Sequence, residues 1–185
     1  MLGDAETVRT VAQIIADYKP PFGAVIDPVM VATSGDRLLP AKAVDAVRAE
    51  LVPRMIITPN SHEAEILTGK EVADVNGQRR AAERLLKAGA AAAIVKGGHI
   101  SGDQIVDLLA TPNGEIFIEH ERYPSSHTHG TGCSLASALA CGLAQGMALE
   151  AALRRAVAYV AEAVRTAPGL GGGSGPINHS WPVQD

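Results

Sequence analysis

The sequence predicts an α/β fold with a mostly parallel sheet covered by helices on both faces, and three observations carry that reading. Short apolar runs end at polar residues: Gly23-Ala24-Val25-Ile26 before Asp27, Met55-Ile56-Ile57 before Thr58, and Ala91-Ala92-Ala93-Ile94-Val95 before Lys96. Segments with apolar residues at helical spacing alternate with these runs, and such alternation implies parallel strands joined by helices. A chain of 185 residues, 46% of them hydrophobic, is long enough to bury one substantial core, so a single domain over residues 1–185 is expected.

Asp4 is placed to cap a first helix, in which Val8, Val11, Ala12 and Ile15 recur until Lys19-Pro20-Pro21 breaks the pattern. The run Gly23 to Ile26 suits a buried parallel strand with Asp27 at its carboxyl end. Pro40 to Leu51 reads as the next helix and Met55 to Ile57 as the next strand. A helix follows over Ser61 to Leu67, and another from about Gln78 to Lys87 is stopped by Gly89. Ala91 to Val95 is a weak strand by composition, because Ala favours helix, but Lys96-Gly97-Gly98 terminates it. Gln104 to Ala110 and Glu115 to Glu119 flank the turn Thr111-Pro112-Asn113-Gly114, the pattern of an antiparallel hairpin at a sheet edge. Helices from Gly132 to about Ala144 and from Leu149 to Val164 close the fold. Residues 168–185 form a Gly-rich C-terminal tail, which taken alone is equally a flexible terminus.

Net charge is −4, with Lys and Arg scattered rather than clustered, so no footprint for nucleic acid or an anionic membrane is present. The opening MLGDAETVRT has no basic stretch leading into an apolar core, and no apolar run is long enough to span a bilayer. Cys133 and Cys141 are more than two turns apart on one predicted helix, too far for a disulfide, which suits thiols in a reducing compartment. A cytoplasmic protein with a small-molecule or protein partner is expected.

Ligands of such sheets sit beyond the carboxyl ends of the strands, which singles out Asp27, the Thr58-Pro59-Asn60 turn and Lys96. The most informative stretch is HTHGTGCSLASALA, His127 to Ala140. Gly130 and Gly132 let backbone amides approach a ligand, and the helix that follows aims its unpaired N–H groups at the same place: an anion hole, most simply for phosphate. Cys133 falls in the first turn, where thiol pKa values tend to drop, so it can serve as a base or a polar contact. The competing reading is a small-residue helix entry in which Gly and Thr serve close packing and Cys133 is a small hydrophobe. Metal binding by His127, His129 and Cys133 is a third, although HxHxxxC is not a familiar zinc spacing. Asp27, Glu63 and Glu65 are candidates to hold magnesium directly or through water, although each alone is more often a cap or surface carboxylate. Lys96 before two glycines can meet a phosphate, or can be a solvated residue at a strand end.

Five motifs then occur in order: DPVMVATSGDRLL (27–39), ITPNSHEAEILTG (57–69), VKGGH (95–99), HTHGTGCSLASALA (127–140) and GSGPINH (173–179). Together they resemble the hydroxymethylpyrimidine/phosphomethylpyrimidine kinases of thiamine biosynthesis, members of the ribokinase-like fold. The resemblance runs from the first residue to nearly the last. It implies Mg-ATP-dependent phosphorylation of hydroxymethylpyrimidine and of its monophosphate. By the resemblance, Gly130, Thr131 and Gly132 form the anion hole and Cys133 stands where the family places its base. Asp27 and Glu63 become the magnesium and phosphate-side carboxylates. Asn60, Lys96 and Thr131 contact the nucleotide, while Val29 and Met1 line the pyrimidine pocket. The partners implied are the pyrimidine or its phosphate and ATP, with a homodimer as a possible assembly. Family members begin with a Gly-rich strand and further pyrimidine contacts, whereas this chain opens at the Met-Leu-Gly that ends a later strand, so it is expected to lack the N-terminal portion. Pyridoxal kinase activity and a catalytically silent nucleotide-binding fragment are the alternative functions.

Overall fold

In the computed structural model, which describes residues 2–21, 23–32 and 36–183, parallel pairing joins three short strands: β1 (Val25–Ile26), β2 (Ile56–Ile57) and β3 (Ala92–Val95). Val25 lies beside Ile56, and Ile56 beside Ala92, so the three carboxyl ends are in step. The expected hairpin follows as β4 (Gln104–Thr111) and β5 (Gly114–Glu121), and the sheet order is β1-β2-β3-β4-β5. β4 runs antiparallel to β3, with Ile94 opposite Leu109 and Val95 opposite Leu108. All four β3 residues are buried, the signature of a strand covered on both faces, which is why an Ala-rich run is strand here against its helix preference.

The helices begin and end where local chemistry dictates. α1 (Ala5–Tyr18) is capped by Asp4, whose side chain accepts from the Thr7 amide at 2.7 Å, and it stops at Lys19 in the left-handed conformation. α2 (Ala41–Ala46) continues into a wider π-helical turn over Val47–Leu51. There Arg48 reaches the carbonyls of Ile66 and Leu67 at the carboxyl end of α3 (Ser61–Thr68), satisfying groups that the helix cannot pair itself. α4 (Val75–Lys87) starts three residues before the expected Gln78, because Asp74 caps it by accepting from Gly77 at 2.7 Å. β1 is likewise shorter than the predicted run, since Gly23 and Ala24 precede the paired residues. Val8, Ile57, Ala81, Val95 and Leu108, all essentially inaccessible to solvent, belong to one apolar core of the first unit, Met1–Glu119.

The second unit, His120–Asp185, is built on α5 (Thr131–Ala144) and α6 (Leu149–Arg165). Leu139, Ala152, Leu153 and Ala156 are fully buried, and small residues let the helices approach closely. A Cβ added at Gly142 would lie 2.8 Å from the Ala152 Cβ. Gly142→Val is therefore expected to destabilise the chain by about 1–3 kcal/mol, the usual cost of overpacking, read as a lower urea midpoint. The Gly-rich tail is anchored rather than loose over part of its length: Ile177 and Asn178 are buried, the Asn178 amide donates to the Ala163 carbonyl at 2.9 Å, and Tyr159 donates to the His179 carbonyl at 2.8 Å. Among the described residues no helix is long and apolar enough to cross a membrane.

Candidate active site

The first unit gathers its polar residues where the sequence places them, just beyond the strands. Asp27 follows β1, Thr58 follows β2 and Lys96 follows β3, and the in-register parallel pairing brings them side by side. Lys96 Nζ lies 2.9 Å from Asp27 Oδ1, with the two side chains 13% and 14% exposed. The Thr58 hydroxyl also faces Asp27 Oδ1, at 3.2 Å, while its amide donates to the Ile26 carbonyl at 3.0 Å. A sheltered ion pair is sustained only when further hydrogen bonds offset desolvation, and fully buried Thr58 supplies one. The result is an ammonium held in place at the end of a parallel sheet, the position at which such sheets bind anions.

Asn60 and Glu63 are engaged in a different way. Asn60 Oδ1 accepts from the Glu63 amide at 2.9 Å and Glu63 Oε2 accepts from the Asn60 amide at 2.8 Å, a reciprocal capping box at the start of α3. The spacing Asn-x-x-Glu is itself the signal for that motif, and the cap weighed above as the alternative to a magnesium carboxylate is a role Glu63 fills here. Glu65, the other candidate carboxylate here, accepts from the Val72 amide at 2.8 Å and ties the α3–α4 connection. Burial lifts the Glu63 carboxyl above its ordinary 4.5, and the Asp27 charge adds to this. The Lys96 ammonium and the amides of Asn60 and Met30 pull it back. Because the folded form then holds the proton more tightly than the unfolded chain, this group's contribution to stability is full below 4.5 and is lost as pH rises through the folded value. Glu63→Gln keeps an acceptor for the Asn60 amide but removes the ionisation. The difference in unfolding free energy, wild type minus variant, is expected to fall as pH rises above 4.5 in urea titrations; a difference that rises would contradict this.

Val29 and Asp27 line one shallow pocket with Leu2, Ile26, Pro28 and Leu39, so the predicted substrate contact and the predicted metal carboxylate meet there. Met1, the other expected pyrimidine contact, lies outside the described residues.

In the second unit, Gly130 holds φ 91°, the left-handed conformation that glycine adopts without strain, and it precedes α5 with no side-chain cap. The Thr131 amide and hydroxyl both turn back to the Thr128 carbonyl, at 3.3 and 3.1 Å, and the Ser134 amide donates to the Gly130 carbonyl at 2.9 Å. Among the described residues, that leaves the amides of Gly132 and Cys133 as the first-turn donors without a backbone acceptor. Cys133 is exposed and so is not the packed hydrophobe of the competing reading. Sequence reasoning missed His179: its ring lies beside Gly130 and its Nδ1 is 3.5 Å from Ser134 Oγ. The tail reaches this position because the His129 amide donates to the Gly175 carbonyl, and Gly175 has no room for a Cβ against the His127 ring. Among the described residues no group of three or more His, Cys, Asp and Glu could hold a metal ion, so His127, His129 and Cys133 do not form the zinc site considered above.

The family model for phosphomethylpyrimidine kinase matches residues 1–178. A hydroxymethylpyrimidine/phosphomethylpyrimidine kinase of Streptomyces coelicolor is 46% identical over 98% of this chain and 66% of its own length. The corresponding Bacillus subtilis enzyme is 42% identical over 97% of this chain and also 66% of its own length. Among solved structures, a Staphylococcus aureus pyridoxal kinase in complex with ADP superposes with a TM-score of 0.92 at 28% identity, covering 100% of this chain and 67% of that one. The chain thus spans just under two thirds of the length of these two curated relatives. On the match of residues 1–178, it belongs to the phosphomethylpyrimidine kinase family.

Proposed function

We propose that the chain transfers a phosphoryl group from ATP to hydroxymethylpyrimidine and to its monophosphate, in the cytoplasm, as a step of thiamine biosynthesis. The observation that carries this reading is the Asp27–Lys96 pair, braced by Thr58 at the ends of three parallel strands. A protein that moves a phosphoryl group does little covalent chemistry itself; it positions reactants and neutralises charge. Lys96 has the reach and charge to leave Asp27 for a nucleotide phosphate. Asn60 presents its polar side chain at the same strand ends, although its Oδ1 is committed to the α3 cap. Gly130, Thr131 and Gly132 shape the helix entry whose amides would receive the charge of the transferring phosphate, and Cys133 would take the proton of the attacking oxygen.

The donors available to magnesium in the first unit are hard oxygens, as that ion requires. Asp27 Oδ1 is shared with Lys96 and Thr58, and Glu63 is bound to backbone amides, so Asp27 is the fitting direct ligand and Glu63 a partner through water. A bound magnesium ion would supply charge neutralisation at the ATP phosphates.

A second reading, pyridoxal phosphorylation, is favoured by the Staphylococcus aureus pyridoxal kinase likeness. ADP release by the purified chain with Mg-ATP and hydroxymethylpyrimidine phosphate, beside a parallel assay with pyridoxal, decides between them. Turnover with the pyrimidine alone supports the first reading and turnover with pyridoxal alone the second. No turnover from folded, ATP-binding protein would leave the silent nucleotide-binding fragment.

A further inference from the structure

We infer that Asp107 is a positioning residue for Lys96, acting through the backbone of Gly97; this rests on the functional reading of Lys96 given above. The β3–β4 ladder is regular up to Val95 opposite Leu108. One step further, Lys96 and Asp107 would be the next pair, and there the ladder stops. Lys96 instead continues the parallel pairing toward β2, bridging to Asn60, with its amide donating to the Pro59 carbonyl at 2.9 Å. Side chains take up the backbone groups that the interrupted ladder leaves. Asp107, 3% exposed, accepts the Gly97 amide at 2.8 Å. Gln78 of α4, with no exposed surface, donates from one amide nitrogen to the carbonyls of both Val95 and Val106, at 2.9 and 2.8 Å. Two acceptors fix which end of the Gln78 amide is nitrogen, and its Oε1 is left buried without a hydrogen-bond partner among the described residues.

Such a buried carboxylate and half-satisfied amide are costly groups to place in a sheet. An ordinary continuation of the ladder would pair the same backbone with none of that cost. What the arrangement secures is the departure of the chain at Lys96. With the carbonyl of Val95, the amide of Lys96 and the amide of Gly97 each held by a separate partner, the Lys96 Cα is fixed on every side. Gly97 admits no other residue, because a Cβ there would overlap the Val106 carbonyl. The direction in which the Lys96 stem leaves the sheet is thereby set, and its ammonium meets Asp27.

Turnover and NMR on the full chain test this, with Asp107→Ala, Asp107→Asn, Lys96→Met and the double variant Lys96→Met/Asp107→Ala. Asp107→Ala is expected to lower kcat by about 10–100-fold, the scale of a displaced catalytic contact. Asp107→Asn, which keeps an uncharged acceptor, should lose less. In the Lys96→Met background Asp107→Ala should not reduce kcat further, since the residue that Asp107 positions is gone. A merely structural Asp107 would lose stability with kcat intact, or would add its loss to that of Lys96→Met; either result overturns the inference. Should Asp107→Ala not fold, Asp107→Asn carries the test through amide exchange at Gly97. Faster exchange with lowered kcat supports the clasp, and unchanged exchange or unchanged kcat overturns it. If the wild-type chain releases no ADP, the functional reading alone fails. The clasp is then read from the Lys96 ammonium resonance, which should broaden in the Asp107 variants as its contact with Asp27 loosens, and whose persistence would refute the inference.

Discussion

Replacing Lys96 with Met is expected to lower phosphoryl transfer by about 10²–10³-fold, the scale of deleting one preorganised charge-stabilising donor. The same change leaves the sheltered Asp27 carboxylate facing only Thr58. Deleting one partner of a fully buried pair costs about 3–5 kcal/mol, and this pair retains some solvent contact, so a loss of about 1–3 kcal/mol is expected here. The two effects separate in the double variant Lys96→Met/Asp27→Asn. An uncharged Asn beside Thr58 should recover much of the lost stability while turnover stays low, because the amide replaces the carboxylate and nothing replaces the ammonium. Urea unfolding and ADP release on the single and double variants check both. If Lys96→Met stayed within about 3-fold of wild type, far short of the loss expected for a deleted donor, the ion pair would be a structural feature of the sheet end and no part of catalysis.

How far this site could be read from sequence follows from the reach of each interaction. Asp27, Thr58 and Lys96 each stand one residue beyond an apolar run, and parallel strands bring such residues together without further information. Asp4 was recognisable as a cap because it acts on an amide three residues away. Asp74 acts over the same distance, but Val75, Asn76 and Gly77 have poor helix propensity and masked the start of α4, which packing against the sheet enforces. Glu63 was weighed both as a magnesium carboxylate and as a cap, and the Asn-x-x-Glu spacing accounts for the capping box. Gln78 and Asp107 were invisible for a different reason. Their partners lie 10 to 28 residues away on other elements, and only the break in β3–β4 pairing gives them something to hold. The anchoring of the tail on α6 is long-range in the same sense, since Gly-rich composition argues for freedom until Ile177 finds a buried place.

Cys133→Ala should divide chemistry from binding in the second unit. The amides of Gly132 and Cys133 are backbone groups and survive the substitution, so whatever anion they hold is still held. Ala is the best helix former and Cys133 is exposed, so α5 should keep its stability and the urea midpoint should not move. Only the thiol is lost. If it accepts the proton of the attacking oxygen, kcat should fall by about 10²–10⁴-fold, the range for removing a general base, while the KM for ATP changes little. Equal losses in kcat and in nucleotide affinity would mean that the substitution disturbs the helix entry, returning Cys133 to a packing role that its exposure argues against. Unchanged kcat would place the base elsewhere, and His179, whose ring lies beside Gly130 in the same unit, would be the next group to replace.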